Sequence, residues 1–382
     1  MIVGTDVFYM ERQQGSTVRP LRFVMIGGFL GAGKTTTLSR LARHYLTLGK
    51  RVAIVTNDQS SDLVDTHMLR SLGMPVEEVA GACFCCRFDD LVARLRSFEE
   101  TTRPDVVLAE PVGSCTDLVA TVVLPLADLY GPHFRIAPYV VLFKPSHGRR
   151  ILKRVGSGFS PKAAYIFEKQ LEEADAIAVN RIDELSVQET QNLLGLIRDR
   201  YPGVPTLALS AKQGLGFDAL TQLLEIDGHY GQKVLDIDYD LYAAGEAEMG
   251  WLNLTFRIHA DSGFPLDDLL RKLLDRIATE LRDTGSEIGH LKAIGMAEAT
   301  YAVANVVSSE SPVELALPSR AIETTVDVVV NARAASDPAR LEEIVRRAID
   351  ATVVERQALG RVLNCQSLRP GRPVPTHRYV KN

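Results

Sequence analysis

A glycine-rich loop near the start of the chain carries the residue types best suited to binding a phosphate. Residues 28–35 read Gly-Phe-Leu-Gly-Ala-Gly-Lys-Thr, which matches G-x-x-x-x-G-K-[ST] between an apolar run and a helical stretch. Glycines let backbone N–H groups surround a phosphate without a Cβ clash. Lys34 adds a cation for the β- and γ-phosphates, and Thr35 adds a hydroxyl ligand for Mg²⁺. The predicted phosphate-binding residues are Gly28, Gly31, Ala32, Gly33, Lys34, Thr35 and Thr36.

Two short motifs at the ends of predicted strands favour guanine as the base. They are Asn180-Arg181-Ile182-Asp183 and Ser210-Ala211-Lys212. The Asp183 carboxylate can accept hydrogen bonds from guanine N1–H and the 2-amino group, whereas adenine presents an acceptor at N1. A backbone N–H near Ala211 can donate to guanine O6. Such polar matching can discriminate by about 10⁴, so GTP is predicted over ATP.

Acidic residues at two other strand ends are candidates for Mg²⁺ binding and catalysis. Asp58 follows the second predicted strand and Glu110 follows the third, and we predict catalytic roles for both, together with Lys34. Gly113 can offer a backbone N–H to the γ-phosphate. A helix-capping role is the alternative for the two acids. Because no glutamine is placed to orient water, hydrolysis is expected to be slow until a partner, a dimer contact or a bound metal accelerates it.

Three crowded cysteines, Cys83, Cys85 and Cys86, predict a thiolate metal site. A turn before the next helix could bring all three sulfurs to one ion, which leaves a tetrahedral site one ligand short and suits transfer. Thiolates favour Zn²⁺ or Cu⁺, with Co²⁺ as an alternative. Water, His67, Glu78 or a client residue could supply the fourth ligand. The alternative role for the cysteines is that of small buried hydrophobic residues.

The position of these cysteines suggests a coupling between metal and nucleotide. They lie between Asp58 and Glu110 in the chain, so GTP binding and metal occupancy are expected to act on one moving segment. Hydrolysis would then release the ion. Cys115 and Cys365 are isolated in the sequence and are predicted to be core residues, with the role of an additional metal ligand as the alternative.

The elements that must position these residues alternate between strand-like and helix-like segments. The strand-like segments are apolar throughout, as strands of a parallel sheet covered on both faces are. This alternation predicts a doubly wound, mostly parallel α/β domain over residues 21–226. Its predicted strands are 21–26, 51–56, 105–109, 137–143, 176–179 and 206–209, and its predicted helices are 34–48, 88–100, 115–129, 161–174, 187–201 and 217–225.

The remaining segments have different patterns. Residues 1–20 are predicted to be a flexible lead-in, and the acidic stretch 227–249 a solvated linker without a helix. Residues 250–366 predict a smaller α+β domain with an antiparallel sheet and two helices, 266–281 and 338–356, on one face. The basic, proline-rich tail 367–382 is predicted to be an extended strap over the surface, with a phosphate- or partner-binding tail as the alternative.

Composition excludes several classes of protein. The 382 residues are 46% hydrophobic and 24% charged, as in an ordinary globular protein. A net charge of −5 gives no support to nucleic-acid or membrane-surface binding. The five cysteines are too few for a disulfide scaffold. No apolar run approaches a membrane span and no signal peptide is evident, so a cytoplasmic location is expected.

Taken together, the loop at 28–35, the run Cys83-Phe84-Cys85-Cys86, the motif Glu110-Pro111-Val112-Gly113 and the two base motifs resemble the CobW-type GTPases. These are relatives of the urease and hydrogenase nickel-insertion GTPases. The resemblance covers about residues 21–226 and implies a nucleotide domain followed by a smaller α+β domain. Two segments depart from the family pattern: Thr56-Asn57-Asp58, and Phe143-Lys144-Pro145-Ser146, where a Val-Asp pair is usual. Arg181 also departs, since the usual motif is Asn-Lys-x-Asp.

The resemblance implies a GTP-hydrolysing metallochaperone that uses GTP and Mg²⁺ and passes a thiolate-bound Zn²⁺ or Co²⁺ to a metalloprotein or metalloenzyme client. Neither a nucleic acid nor a membrane is expected as a partner, and a homodimer is left open. One alternative is a GTPase that activates or protects a corrinoid enzyme or another metalloenzyme. The other is a nucleotide-dependent metal-binding regulatory module with little turnover.

Overall fold

A computed structural model of the chain describes residues 20–58, 63–153 and 159–380. All but the last residue of the predicted lead-in 1–20 lie outside these ranges. Within them, no helix is both long enough and apolar enough to cross a bilayer.

The first domain is built on a parallel sheet. Among the described residues its strands run in the order β3-β2-β4-β1-β6-β7-β8, and β5 also pairs with β1. Every pairing in this sheet is parallel, so the carboxyl ends of the strands share one edge. The strands are β1 Leu21–Gly28, β2 Val52–Asp58, β3 Val76–Ala80, β4 Val106–Glu110, β5 Phe134–Ile136, β6 Val140–Phe143, β7 Ala176–Val179 and β8 Thr206–Ala208.

Helices cover both faces of this sheet. Side chains of α1 and α8 share one buried apolar cluster with it, and those of α3, α6 and α7 share another on the opposite face. The doubly wound α/β fold is therefore confirmed. The helices are α1 Lys34–Thr47, α2 Val64–Ser71, α3 Phe88–Glu100, α4 Leu124–Tyr130, α5 Pro145–Leu152, α6 Pro161–Glu173, α7 Val187–Arg200 and α8 Phe217–Glu225, and a π-helical turn, Val119–Val123, precedes α4.

The short elements α2, β3 and α5 were missing from the sequence prediction. The helix α2 has only eight residues, too few for a clear period of 3.6. The strand β3 lies at the sheet edge and carries the half-buried Glu77 and Glu78, so it lacks the continuous apolar character of the central strands. The helix predicted at 115 begins later and starts as a π-helical turn.

The second domain is an antiparallel sheet whose strands run β12-β11-β10-β13-β9-β14. Two helices pack on one face in a single apolar cluster, as predicted. On the other face, Val64 of α2 packs against Ile294 and Val329, which joins the two domains. The elements are β9 Gly250–Pro265, α10 Leu266–Asp283, β10 Ile288–Met296, β11 Tyr301–Val306, β12 Glu314–Leu317, β13 Ile322–Ala334, α11 Pro338–Glu355 and β14 Leu359–Leu368.

The solvated linker predicted at 227–249 is wrong in its second half, where the nine-residue helix α9 (Tyr239–Ala247) packs on α6. Asp238 caps the helix by accepting from two backbone N–H groups. A Cβ at Gly245 would lie 2.5 Å from the Lys162 carbonyl oxygen, so the two helices approach closely. Tyr242 is buried in the core. The buried residues of this helix are Tyr242, Gly245 and Glu246, which do not form an apolar stripe, so a search for apolar residues with a period of 3.6 does not detect it. The division into domains at 226 and 250 stays a prediction.

Candidate functional site

The glycine-rich loop curls around Lys34 between β1 and α1. Gly28 and Gly33 have φ values of 133° and 93°, which residues with a side chain rarely adopt. A Cβ at Gly33 would lie only 2.4 Å from Nδ2 of Asn180. Lys34 is buried and donates a 2.9 Å hydrogen bond to the Gly28 carbonyl, and burial lowers its pKa. Backbone N–H groups at a helix start and one buried amine are the groups that fit a phosphate chain.

A hydroxyl and two carboxylates meet beside this loop. The Thr35 hydroxyl oxygen lies 2.7 Å from Oδ1 of Asp65 and 2.9 Å from Oε1 of Glu110. Burial and the charge of Asp65 raise the pKa of Glu110 to about 7. Its buried Oε2 has no hydrogen-bond partner among the described residues. Oxygen ligands of this kind are those that Mg²⁺ prefers, so the three residues fit the predicted magnesium ion.

Asp65 was missed by the sequence analysis, which assigned the magnesium role to Asp58. The strand β2 ends at Asp58, but the side chain of that residue lies outside what the structure describes, so its role stays a prediction. Asp65 stands in the first turn of α2, a helix that was not predicted. Burial raises the pKa of Asp65, but the charge and hydrogen bonds of Lys292 outweigh burial and leave that pKa below its ordinary value.

The second domain reaches into the phosphate site through two lysine contacts. Lys292 on β10 places Nζ 2.6 Å and 2.5 Å from the two carboxylate oxygens of Asp65. In the other direction, Lys144 follows β6 and donates from Nζ to the carbonyls of Val307 at 2.6 Å and Gly289 at 3.3 Å. Burial holds the pKa of Lys144 well below its usual value. The two domains therefore meet directly beside the residues that would bind the nucleotide phosphates.

The predicted base-binding residues lie together at the ends of β7 and β8. Asn180 links three segments: its Nδ2 donates to the Ala32 carbonyl at 2.8 Å, and its Oδ1 accepts from the N–H groups of Arg181 at 2.8 Å and Ala211 at 2.9 Å. A cavity of about 470 Å³ opens here, within the size range of small-molecule sites. Residues of that cavity include Gly33, Thr36, Arg40, Asn180, Arg181, Asp183, Ala211 and Lys212.

Glu314 of the second domain closes one side of this cavity. Its carboxylate pairs with Lys212 and lies 3.5 Å from a guanidinium nitrogen of Arg181. Arg181 also pairs with Glu184, so its guanidinium is engaged by carboxylates on both domains. Ser210 is fully buried, and its hydroxyl accepts from the N–H of Gln213 at 3.0 Å, which shapes the loop after β8.

The three predicted thiols form a compact group in the turn before α3. The Sγ atoms of Cys83 and Cys85 are 2.8 Å apart, those of Cys83 and Cys86 are 3.3 Å apart, and those of Cys85 and Cys86 are 3.8 Å apart. Hydrogen bonds from neighbouring thiols hold the pKa of Cys83 well below its usual value. The pKa of Cys85 is raised, and that of Cys86 is raised to about 11. One thiolate supported by its neighbours suits capture of a soft cation.

Asn57, at the end of β2, holds the turn that presents these thiols. Its Nδ2 donates to the carbonyls of Val79 and Ala82, both at 2.8 Å, and its Oδ1 accepts from the N–H of Phe84 at 2.7 Å. No role for Asn57 was predicted from the sequence. Its position next to Asp58, at the end of a strand, could have indicated a role, because functional groups often lie at the carboxyl ends of parallel strands.

Cys115 is a core residue, as predicted. It is buried in the same large apolar cluster as Cys83 and Cys85. The segments after β3 and β4 emerge at one edge of the sheet because β4 lies next to β2, and β2 pairs with β3.

Neither His67 nor Glu78 joins the thiols as a fourth ligand. Within the described ranges, Cys83, Cys85 and Cys86 form the one group of His, Cys, Asp or Glu ligand atoms within 4.8 Å of one another. Cys365 is remote from them in the fold, on β14 in the second domain.

The carboxyl-terminal tail runs over the thiols. The N–H of Val374 lies 3.2 Å from Sγ of Cys86, and the N–H of Thr376 donates to the Cys85 carbonyl at 2.8 Å. Arg378 then forms an ion pair with Asp117 at 2.7 Å. The tail is therefore an extended strap, and it covers the exposed side of the thiol group.

Removal of residues 370–382 is expected to raise the rate at which Cys86 reacts with an alkylating reagent several-fold, because the strap then no longer shields its sulfur. Mass spectrometry of the metal-free protein after timed alkylation measures this rate. Cys365, on β14 of the second domain, is the internal control. An unchanged rate at Cys86 would show that the strap does not restrict access.

Comparisons with known proteins identify relatives of this chain. The family model described as the CobW/HypB/UreG nucleotide-binding domain matches residues 22–207. The zinc chaperone YeiR of Escherichia coli K12 is 27% identical over 175 residues, which cover 44% of this chain and 49% of YeiR. The urease accessory protein UreG of Mycolicibacterium gilvum is 30% identical over 215 residues, which cover 53% of this chain and 92% of UreG.

The alignments span about half the length of the first curated zinc-related relatives, from 49% to 58%. Among solved structures, Zn(II)-bound YjiA GTPase from E. coli is 13% identical, with a TM-score of 0.37, over 87% of this chain and 99% of YjiA. The match to the family domain and the near-complete coverage of UreG place the sequence among these proteins. The chain therefore belongs to the CobW/HypB/UreG family of metal-chaperone GTPases, as its sequence motifs predict.

Proposed function

We propose that this chain is a GTP-hydrolysing metallochaperone that passes a thiolate-bound zinc ion to a metalloprotein client. The observation that carries the proposal is the shared sheet edge of the two sites. Asn57 at the end of β2 holds the cysteine turn, and Glu110 at the end of the neighbouring β4 contacts Thr35 of the phosphate loop. The zinc chaperones among its relatives support zinc as the cargo.

The proposed roles follow from the contacts of each residue. The phosphate loop and Lys34 bind the β- and γ-phosphates. Thr35, Asp65 and Glu110 would hold Mg²⁺, which when bound would supply positive charge to the phosphates. Asp183 reads guanine through its N1–H and 2-amino groups, and the loop at Ala211, whose own N–H donates to Oδ1 of Asn180, borders the base. Gly113 offers its N–H to the γ-phosphate. Cys83, Cys85 and Cys86 bind the transported ion.

The proposal requires GTP turnover that depends on Lys34. Purified protein is expected to release phosphate from GTP and not from ATP, and the Lys34→Ala variant is expected to lose that release, because the phosphates lose their buried cation. A colorimetric phosphate assay with both nucleotides measures this. Asp199→Asn, which alters an exposed carboxylate on α7, is the control. Equal release by wild type and Lys34→Ala would show that the released phosphate does not come from this site. That result would favour a regulatory module without turnover.

The proposal also requires that nucleotide state alters zinc affinity. Zinc titrations of the wild type, with and without a non-hydrolysable GTP analogue, are expected to give different dissociation constants. The Cys85→Ala variant is expected to abolish that difference. Identical constants for the wild type in both conditions would contradict the chaperone cycle.

A further inference from the structure

The strand β10 of the second domain directs a lysine at the first domain. Leu291 and Ala293 lie in the apolar cluster that β10 forms with α10 and α11, whereas Ile294 packs against Val64 of α2. Because successive side chains of a strand point to opposite faces, Lys292 shares the face of Ile294. This lysine is therefore placed on the face that meets the first domain.

Contacts with α2 fix the position of Lys292. Its Nζ lies 2.6 Å and 2.5 Å from the two carboxylate oxygens of Asp65, and only 18% of its side chain is exposed. Asn331, its partner in register on β13, accepts a 2.8 Å hydrogen bond from the N–H of Val64. The second domain thus holds two successive residues at the start of α2, and Lys292 is a fixed part of the interface.

A small cavity of about 80 Å³ lies beside this ion pair. Lys34 borders it from the first domain, and His290 and Lys292 border it from the second. Burial holds the pKa of His290 well below its usual value, so this imidazole is uncharged at neutral pH and Lys292 is the cation that the second domain adds to the wall. Cations from both domains therefore face one cavity, which favours an anionic ligand.

Two carboxylates, those of Asp65 and Glu110, also border the cavity. Both contact the Thr35 hydroxyl, and both are proposed ligands of Mg²⁺. Their charge is therefore committed to that ion when a nucleotide is bound. Lys34 and Lys292 are then the charged groups of the wall that are left to meet phosphate oxygens.

The position of the small cavity matches the far end of a nucleotide. It shares Gly33 and Arg181 with the larger cavity at the base motifs, so the two cavities adjoin at the start of α1. Lys34 and Thr35 border the smaller cavity and not the larger one. A nucleotide whose base lies beside Asp183 would cross the start of α1, where phosphates bind, and its last phosphate would lie in the small cavity.

We propose that Lys292 binds a γ-phosphate oxygen of GTP, so that the second domain distinguishes the triphosphate from the diphosphate. The inference rests on the proposed function and adds a residue that the motifs of the first domain do not contain. The lysine ammonium has three N–H donors, so it can keep its contact with Asp65 and donate another hydrogen bond to phosphate. Because GDP lacks that acceptor, the contact forms only with GTP and links the two domains through the γ-phosphate.

The Lys292→Met variant tests this contact through the binding of two nucleotides, a non-hydrolysable GTP analogue and GDP. Methionine keeps an apolar stem and removes the cation. Affinity for the GTP analogue is expected to fall by about 10-fold or more, as for loss of a hydrogen bond between charged groups, whereas affinity for GDP should change by less than about twofold. Lys272→Met on α10 is the matched control, since Lys272 also pairs with a carboxylate, that of Glu355.

The same titrations without magnesium separate a direct contact from an effect that passes through Asp65. A lysine that contacts the phosphate itself should favour the GTP analogue over GDP with and without the ion. A loss of preference in Lys292→Met that is seen only with magnesium would overturn the proposal, because Lys292 would then act by positioning Asp65. Equal losses for the two nucleotides, or no loss, would also overturn it.

Acetylation of lysines in the wild-type protein tests the contact without any substitution, and decides the question if the variant does not fold. Mass spectrometry is expected to show Lys292 reacting several-fold more slowly with the GTP analogue bound than with GDP bound, because the phosphate engages its ammonium group. Lys272 is the internal control, and its rate should not depend on the nucleotide. Equal rates at Lys292 with the two nucleotides would contradict the proposal.

Failure of this inference and failure of the proposed function give different results. A Lys292→Met protein that prefers the GTP analogue to GDP as the wild type does would remove Lys292 from the site, while phosphate release that depends on Lys34 would leave the GTPase intact. A wild type that binds the GTP analogue through Lys292 but releases no phosphate would contradict GTP hydrolysis and leave the contact in place.

Discussion

Replacement of Cys83 by serine is expected to weaken zinc binding by at least about 100-fold, since loss of a ligand should cost more than loss of a group that orients one. Cys83 is the centre of the thiol group: its sulfur lies 2.8 Å from that of Cys85 and 3.3 Å from that of Cys86. Neighbouring thiols also hold its pKa well below the usual value, which favours the thiolate form that binds metal ions. A serine hydroxyl is harder and stays protonated, so it is a poor zinc ligand.

Competition with a chromophoric zinc chelator measures this loss. Cys365→Ser in the second domain should leave the dissociation constant unchanged. A Cys83→Ser protein that binds zinc within twofold of the wild type would show that the ion is held elsewhere.

The second large effect is expected on the affinity for the guanine base of GTP. Asp183→Asn should lower GTP affinity by about 100-fold or more, because loss of one partner of a hydrogen-bonded charge costs about 2–5 kcal/mol. Xanthine carries a carbonyl at C2, where guanine carries an amino group. The asparagine amide can donate a hydrogen bond to that carbonyl. The variant should therefore prefer xanthosine triphosphate to GTP.

Displacement of a fluorescent guanine nucleotide by GTP, ATP and xanthosine triphosphate gives the order of affinities. Asp199→Asn, on the exposed surface of α7, should keep the wild-type order. An unchanged order in Asp183→Asn would show that Asp183 does not read the base.

Much of the first domain was predictable because its central strands are apolar on both faces. The strand Ala176–Val179 and the helices Phe88–Glu100 and Phe217–Glu225 occur at their predicted positions. Edge elements were missed, since β3 and β14 carry polar residues and are partly exposed. The helix α9 was missed because its buried residues, Tyr242, Gly245 and Glu246, do not form an apolar stripe.

The sequence by itself determined the local parts of the site. The phosphate loop, the base motifs and the three crowded thiols each lie within a few residues, so their chemistry depends on spacing and on backbone freedom at glycine. Their gathering at one edge follows from parallel strands, which the apolar pattern predicts.

Only the tertiary structure decided which distant residues complete the site. Asp65 meets Lys292 across 227 positions, and Val374 reaches Cys86 across 288 positions. These contacts depend on how two domains and a strap pack. Packing energy is spread over many apolar side chains, so no short run of residues encodes it.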